Sequence, residues 1–286
     1  MPNYRLTLEY EGTRYHGWQE QANAKSVAGE LRRAVAACGG DVVELGGAGR
    51  TDSGVHALEQ TAHLRMRHQI EPEPFRRAVN EALPADIHLL SILPAAESFH
   101  ARHDASSRVY LYQISRRRAA HAKRYIWWVK RGLDPSRMAG AAASLEGRHD
   151  FSLFCERPAE QTSTLVVLDR AEVVEAGALV LVRLTASHFL WKMVRRVVGI
   201  LVRVGAAECS MSDVDGLLAG SLPRGAEDGI AKWTAPASGL FLERVIYPGE
   251  EGMQPIAPAT PVSAEQPALA GSRFTGAAGT VRRRGR

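Results

Sequence analysis

A short segment in the first part of the chain places a carboxylate among small residues and beside a cation. It is residues 49–57, GRTDSGVHA, in which Asp52 follows Arg50 by two positions. Its glycines let the backbone adopt positive φ and let another molecule approach closely. Arg50 could keep the Asp52 carboxylate ionised through a charge-assisted hydrogen bond. An ionised carboxylate can attack the anomeric carbon of a sugar, so the segment is a candidate nucleophile loop.

The same segment has a structural interpretation that involves no chemistry. Asp52 could form an Asx-turn and pair with Arg50 only to hold a tight loop. The string Gly-Arg-Thr-Asp does not separate the two interpretations, and both stay open at this level.

The cysteines and histidines give little support for metal or disulfide chemistry. Cys38, Cys155 and Cys209 are far apart, odd in number and include no Cys-x-x-Cys pair. The ten histidines show none of the spacings that zinc sites use. The sequence therefore predicts three reduced thiols and no metal site.

Positive charge is concentrated in clusters, several of which adjoin aromatic residues. The chain has 36 basic and 31 acidic residues, a net charge of +5. Trp127 and Trp128 lie between basic residues, and Trp191 adjoins Lys192. Phosphate contacts and base stacking use this combination of side chains. Solvated surface charge explains any single cluster, but their recurrence favours a polyanionic partner.

Two observations bear on cellular location. The first residues run straight into a strand-like alternation, with no basic-then-apolar signal segment before it. The longest apolar stretch near a helix, residues 197–202, is far shorter than the roughly 20 residues that span a bilayer. We therefore expect a cytoplasmic protein with no membrane association.

Strands and helices alternate along the chain in two halves with a similar order of elements. Period-two alternation, helical spacing and turn residues define the elements. The predicted strands are residues 4–10, 41–45, 59–66, 86–93, 107–115, 164–175, 179–187 and 241–247, and the predicted helices are 27–38, 74–83, 134–145, 190–204 and 213–219. The pattern predicts an α+β or mixed α/β fold, and we favour α+β, with an N-terminal α/β subdomain, residues 1–105, and a C-terminal one, residues 106–248.

The helix predicted over residues 190–204 has two different faces. Its apolar positions recur at helical spacing, whereas Lys192, Arg196 and Arg203 fall on the opposite face. Such a helix could face the core on one side and a phosphate backbone on the other, or could simply carry a solvated basic face.

The composition changes after Pro248. Residues 249–286 are rich in Ala, Pro, Gly, Ser and Thr, lack periodicity and end in RRRGR. We predict a disordered basic tail, which could add non-specific RNA affinity or serve only to solubilise the protein.

Several motifs, in order along residues 3–248, resemble those of the TruA-type tRNA pseudouridine synthases. The segment at 49–57 resembles the family signature, and the other motifs match in order and spacing. They are EYEGT at 9–13, YHGWQ at 15–19, NEALPADI at 80–87, SFHAR at 98–102, RVYLY at 108–112, DFS at 150–152, MVR at 193–195 with Gly199, and residues 235–240.

The resemblance implies a fold and a reaction. The fold is that of the pseudouridine synthases, a mixed, largely antiparallel sheet flanked by helices around a central active-site cleft. The reaction isomerises uridine to pseudouridine at positions 38, 39 and 40 of the tRNA anticodon stem-loop. It needs no cofactor and no metal, since it is redox-neutral and the protein supplies the nucleophile. The resemblance also implies a homodimer that holds the stem-loop between its subunits.

Five residues take roles by this resemblance. Asp52 matches the nucleophile, which attacks C1′ or assists first at C2′. Tyr110 matches an active-site tyrosine that contacts the base, although a core tyrosine on a strand would look the same. Arg50 is expected to neighbour Asp52, and Arg195 to pair with the carboxylate or a phosphate. Leu240 matches an apolar position against the base, where a core leucine is the simpler interpretation.

The sequence departs from the family pattern at one point and leaves other functions open. Trp191 and Lys192 stand where a histidine is common, so contacts with the RNA can differ there. One alternative is the same chemistry on another RNA, as in eukaryotic relatives. A second is a catalytically silent RNA-binding protein on the same scaffold. A third, an unrelated hydrolase with an Asp nucleophile, predicts metal ligands or a phosphate-cradling motif, and the sequence shows neither.

Overall fold

The computed structural model describes residues 1–156, 163–250 and 254–264. Within these ranges the chain forms five α-helices and ten strands. The five helices and eight of the strands lie close to the positions that the sequence pattern predicts, whereas the short strands Trp127–Trp128 and Gly147–Asp150 were not predicted. The helices are α1 (Val27–Ala37), α2 (Pro72–Ala82), α3 (Pro135–Ala143), α4 (Met193–Gly205) and α5 (Met211–Leu218). The strands are β1 (Asn3–Tyr10), β2 (Val42–Gly47), β3 (His56–Met66), β4 (Ile87–Ala95), β5 (Ser107–Ser115), β6 (Trp127–Trp128), β7 (Gly147–Asp150), β8 (Leu165–Ala176), β9 (Leu179–Ala186) and β10 (Leu240–Ile246).

All ten of these strands belong to one sheet. Its order is β4-β1-β3-β10-β5-β9-β8-β7, with β2 added to β3 and β6 added to β5. Only the β10–β3 and β5–β6 pairs among them are parallel. The predicted α+β class and the mixed, largely antiparallel sheet are therefore confirmed.

The last strand in chain order lies in the middle of the sheet. In β10, Phe241 pairs in parallel with His56 of β3, and Leu242 pairs in antiparallel with Tyr110 of β5. The boundary predicted between residues 105 and 106 falls just before β5, and the sheet runs across it without interruption. The strand that follows the candidate nucleophile loop and the strand that carries Tyr110 are thus held one strand apart.

Successive side chains of the central strands pack into two different cores. Because strand residues alternate between the two faces of a sheet, Tyr110 and Tyr112 lie with the buried residues of the helices, whereas Leu111 lies on the other face. Leu179 and Leu181 share that second face. The helices of the described residues do not cover this second face. Segments without regular secondary structure pack against it instead.

Part of the predicted tail covers this second face. Val262 is only 3% exposed and packs in the same cluster as Leu179 and Leu181. Its carbonyl accepts a hydrogen bond from the Ala178 N–H at 3.0 Å. The prediction of a disordered tail from residue 249 is therefore wrong for residues 254–264, whose few apolar side chains bury the surface that the helices leave open. Residues 251–253 and 265–286 lie outside the described residues.

The predicted basic face of α4 is not a free surface. Arg196 is buried, donates to the Cys155 carbonyl and lies 3.8 Å from the Glu156 carboxylate. Arg203 pairs with Glu208 at 2.8 Å and packs over the Trp233 ring. These cations serve internal contacts, since the segments before and after α4 fold back onto it. No helix in the described ranges is long and apolar enough to cross a membrane.

Candidate active site

The loop between β2 and β3 carries Asp52 and is fixed on both sides of it. The Thr51 hydroxyl is hydrogen-bonded to the Tyr10 hydroxyl at 2.8 Å, and the Thr51 carbonyl accepts from the Trp18 N–H at 3.1 Å. On the other side, the Gly54 N–H donates to the Tyr15 carbonyl at 3.2 Å. Asp52 therefore sits on a loop whose backbone position is determined by the N-terminal part of the chain.

Two glycines in that N-terminal part allow the loop to approach. A Cβ atom at Gly12 would lie 1.9 Å from the Val55 carbonyl oxygen. At Gly17, whose φ is +91°, a Cβ atom would lie 2.2 Å from the Thr51 carbonyl oxygen. Real Cβ atoms do not tolerate such distances, so the glycines of the 9–13 and 15–19 motifs allow the candidate nucleophile loop to pack against the N-terminal segment.

The Asp52 carboxylate lies in the wall of a cavity of about 890 Å³, with 24% of its side chain exposed. Arg195, in the first turn of α4, places Nη1 3.5 Å from Asp52 Oδ2. The Arg195 side chain also donates to the Ala235 carbonyl at 2.7 Å, and its own carbonyl accepts from the Ala235 N–H at 3.0 Å. The cation is thus fixed from behind and faces the carboxylate.

Burial and charge act in opposite directions on Asp52. Burial raises the pKa of the Asp52 carboxyl, while the Arg195 guanidinium, the Lys192 ammonium and a hydrogen bond from the Trp191 side chain lower that pKa. The net direction is upward. The result is a carboxylate more basic than an ordinary aspartate, hence a better nucleophile, beside a cation that favours its ionised form.

Tyr110 and Leu240 line the same cavity. Tyr110 is buried, and Phe189 meets its ring edge-on at a centroid distance of 5.1 Å. Burial, assisted by the nearby Tyr10 and Asp52, raises the pKa of the Tyr110 phenol, so it keeps its proton at neutral pH. Leu240 is the first residue of β10 and pairs with Tyr112. The cavity therefore presents a carboxylate, a protonated phenol and an apolar side chain to one bound molecule.

Comparison with known proteins assigns the chain to a family. The sequence pattern of a family described as tRNA pseudouridine synthase matches residues 7–104 and 141–248. The chain belongs to the tRNA pseudouridine synthase family.

Its curated relatives include proteins named tRNA pseudouridine synthase A. The one from Sinorhizobium fredii is 40% identical over 252 residues, which cover 86% of this chain and 100% of the relative. The one from Beijerinckia indica is 41% identical over 262 residues, covering 89% and 98%. The one from Agrobacterium fabrum is 39% identical over 253 residues, covering 87% and 93%. The TruA-type resemblance is therefore confirmed, and with it the pseudouridine synthase fold.

Of the two arginines that the sequence placed near the site, Arg195 and not Arg50 pairs with Asp52 in this synthase. Arg50 is exposed and lines the cavity, but it makes no ion pair within the part of the chain that the structure describes. Arg195 takes that place, since α4 begins beside the nucleophile loop. Proximity along the sequence placed Arg50 near Asp52, whereas proximity in the fold selects Arg195.

Arg108 supports this synthase's site in a way that the sequence did not reveal. Its buried guanidinium donates to the carbonyls of Ala48 at 2.9 Å, Ala105 at 3.3 Å and Ser187 at 2.6 Å. Ala48 precedes the nucleophile loop and Ser187 follows β9, so one side chain ties three segments together. The motif RVYLY contains this arginine, but only the fold shows its carbonyl partners.

Two other side-chain groups concern the sequence predictions. His56 is buried between the Gly12 N–H, which donates to its Nδ1 at 3.0 Å, and the Arg124 carbonyl at 2.8 Å, so both ring nitrogens serve internal contacts. Glu44, His63 and His100 approach one another closely enough for a metal site. However, His63 Nδ1 already accepts a hydrogen bond from the Ala101 N–H at 3.2 Å. In a neutral ring the proton is then on Nε2, which is the nitrogen that a metal would have to bind. The absence of a metal site stays a prediction.

Proposed function

We propose that this chain isomerises uridine to pseudouridine in tRNA and that Asp52 is the nucleophile. Membership of the tRNA pseudouridine synthase family supports the reaction. The observation that carries the residue assignment is the Asp52–Arg195 pair in the wall of the cavity, because it combines a partly buried, basic carboxylate with a fixed counter-charge. The proposal takes the role assigned to Asp52 by sequence resemblance and, of the two partners expected for Arg195, the carboxylate or a phosphate, it adopts the carboxylate.

The chemistry requires a group that takes part without being consumed. Breaking the N1–C1′ bond leaves its electron pair on uracil, which then rotates and bonds C1′ through C5, and the proton lost from C5 balances the one gained at N1. The ionised Asp52 either bonds C1′ while the uracil is detached or assists removal of the C2′ proton. Both routes need the carboxylate form, which Arg195 favours.

Tyr110 and Leu240 are proposed to hold the base. A phenol that keeps its proton can donate a hydrogen bond to the detached, electron-rich uracil, and its ring can stack on the base. Leu240 packs against the base from the start of β10. Arg50, exposed on the cavity wall, is assigned to the RNA backbone, together with Arg102 and Lys192.

The family resemblance also supports a proposal for the target positions in tRNA and for the assembly of the protein. We propose that the target uridines are those at positions 38, 39 and 40 of the anticodon stem-loop. The target must leave its stack to reach Asp52, which costs a few kcal/mol. We propose that the protein acts in the cytoplasm as a homodimer. Basic surface of the second subunit would offset part of the cost of moving the target base out of its stack. The reaction is proposed to need no cofactor.

Pseudouridine mapping on an unmodified tRNA transcript tests this proposal. The wild-type chain should form pseudouridine at positions 38 to 40, and Asp52→Asn should form none while binding tRNA with unchanged affinity. Asp228→Asn, which alters an exposed aspartate that pairs only with Lys232, is the matched control and should keep full activity. Turnover by Asp52→Asn at more than about a hundredth of the wild-type rate would disprove the nucleophile. No product from folded wild type would disprove the substrate.

A further inference from the structure

Trp191 is a large aromatic residue in an unusual position beside the nucleophile. Its side chain is 45% exposed although Leu190 and Met193 on either side are buried. It lines the same cavity wall as Asp52. A single exposed apolar residue needs no special explanation on an ordinary surface. An exposed indole at the mouth of a cavity that must admit RNA is in a place where it will touch the substrate.

The backbone around Trp191 is fixed rather than mobile. The Trp191 carbonyl accepts a hydrogen bond from the Glu156 N–H at 3.0 Å, and the Met193 N–H donates to the Leu190 carbonyl at 3.0 Å. Lys192 has a φ of +62°, a left-handed conformation that residues other than glycine rarely adopt. Such strain persists where the surrounding structure demands it, and here the turn holds the indole at the cavity.

Charge around the indole suits a nucleic acid. The Lys192 ammonium, which also pairs with Glu156, lies 4.9 Å from the Trp191 ring centroid, and Arg50 and Arg102 line the same cavity. An aromatic surface bordered by cations is the combination that proteins use for single-stranded nucleotides, with the ring for a base and the cations for phosphates. Trp191 also contributes to lowering the pKa of the Asp52 carboxyl, which is consistent with a position close to the reacting group in the same cavity.

We propose that Trp191 stacks on a tRNA base adjacent to the target uridine, replacing the contact that this base loses when the target leaves the stack. Flipping a nucleotide uncovers the faces of its neighbours, and an aromatic ring restores stacking with any base sequence. Tyr110 and Leu240 are buried and are proposed to contact the target base, whereas Trp191 is more exposed and is free to contact a neighbouring base. The inference rests on the proposed function, since Asp52 marks where the target sugar lies.

A double-variant cycle between protein and RNA tests the stacking. Kd is measured in an Asp52→Asn background, which prevents turnover, for tRNA transcripts that carry an abasic nucleotide on the 5′ side, on the 3′ side, or on neither side of the target. Trp191→Ala should weaken binding of the intact RNA roughly tenfold. The loss should largely disappear on one of the two abasic RNAs, because the partner base is already missing there. Trp191→Phe, which keeps a ring and lacks the N–H, should retain most of the affinity.

Trp128 provides the matched control. It is 36% exposed and has the Lys130 ammonium 5.4 Å from its ring centroid, but it is not among the residues that line the cavity. Trp128→Ala should therefore show no dependence on the abasic position, whatever its effect on the overall affinity for RNA. A Trp191→Ala loss that is the same on all three RNAs, or an equal dependence of the Trp128→Ala loss on the abasic position, would overturn the proposal. Failure of the proposed function would appear separately, as turnover by Asp52→Asn.

Discussion

Asp52 and Arg195, 143 positions apart in the chain, meet with Oδ2 and Nη1 3.5 Å from each other. The guanidinium is held by Ala235, so the carboxylate does not have to orient it. At this distance the pair is looser than a bidentate ion pair, whose N···O contacts are shorter than 3 Å. The carboxylate oxygens therefore stay accessible to a substrate while the cation still favours ionisation.

Replacement of Arg195 should change the pH dependence of the reaction. Burial already raises the pKa of Asp52 and Arg195 opposes that rise, so Arg195→Met will raise the pKa further. Because the reacting form is ionised above its pKa, activity will be lost at a higher pH as the pH falls. The acid limb of the kcat/KM profile should therefore move to higher pH. Arg195→Lys, which keeps the charge, should shift it less. An equal loss at every pH would show that Arg195 does not act through Asp52.

The contribution of the Tyr110 hydroxyl to catalysis can be measured separately from that of its ring. Tyr110→Phe keeps the stacking surface, so we expect nearly unchanged tRNA affinity and a kcat lower by about ten- to a hundredfold. No hydrogen bond of this hydroxyl occurs within the described residues, so its loss should hardly alter the free energy of unfolding. Kinetics and denaturant unfolding measure the two effects.

Tyr112, on the same strand, is the control for Tyr110. Its hydroxyl donates to the Pro236 carbonyl at 2.7 Å. Tyr112→Phe should lower the free energy of unfolding by about 1 kcal/mol or more, because that carbonyl loses its partner, while kcat changes less than for Tyr110→Phe. The reverse pattern would show that we assigned the two tyrosines the wrong way round.

The close contact between Gly12 and the proposed nucleophile loop should not tolerate a methyl group at Gly12. Gly12→Ala would force the Val55 carbonyl to move, since the new Cβ would lie 1.9 Å from it. We expect a loss of about 1–3 kcal/mol in stability and a lower kcat, because Asp52 moves with the loop. Gly132→Ala, where no atom lies within 4 Å, should change neither. A Gly12→Ala protein with wild-type melting temperature and kcat would contradict the close approach.

Truncation should separate the ordered part of the C-terminal segment from the rest. A chain that stops after Pro248 loses Val262 and exposes the face of Leu179 and Leu181, so its unfolding free energy should fall by at least about 1.5 kcal/mol. A chain that stops after residue 264 should retain its stability. Thermal unfolding of the two chains distinguishes them, and identical melting temperatures would mean that residues 254–264 contribute nothing.

The sequence predicted local structure well and long-range contacts less well. The bounds predicted for β5 agree with the structure, because the alternation of side chains between the two faces of a strand is a local property of the sequence. The insertion of β10 between β3 and β5 could not be predicted, because pairing depends on which strands meet. For the same reason Arg50, near Asp52 in sequence, looked like its partner, and Arg195 proved to be the neighbour in space.

Composition misled the prediction in two places. Residues 254–264 are rich in small and turn-forming residues, yet Ile256, Ala259 and Val262 bury against a face that no helix covers. Arg196 has the character of a surface residue, but its helix is packed on both sides there. In both cases the deciding factor is a surface supplied by a distant part of the chain.

The central position of β10 has a consequence for the order of events during synthesis. The proposed nucleophile loop and β5, which carries Tyr110, are synthesised early. β10, which sets the distance between β3 and β5, is the last of the described strands to be synthesised, after more than half of the sheet has left the ribosome. A chain interrupted before residue 240 contains Asp52, Tyr110 and Arg195, but it lacks Leu240 and the rest of the strand that holds β3 and β5 in register. The site therefore forms only when translation has passed β10, so an incomplete product can neither modify RNA nor hold it in a working pocket.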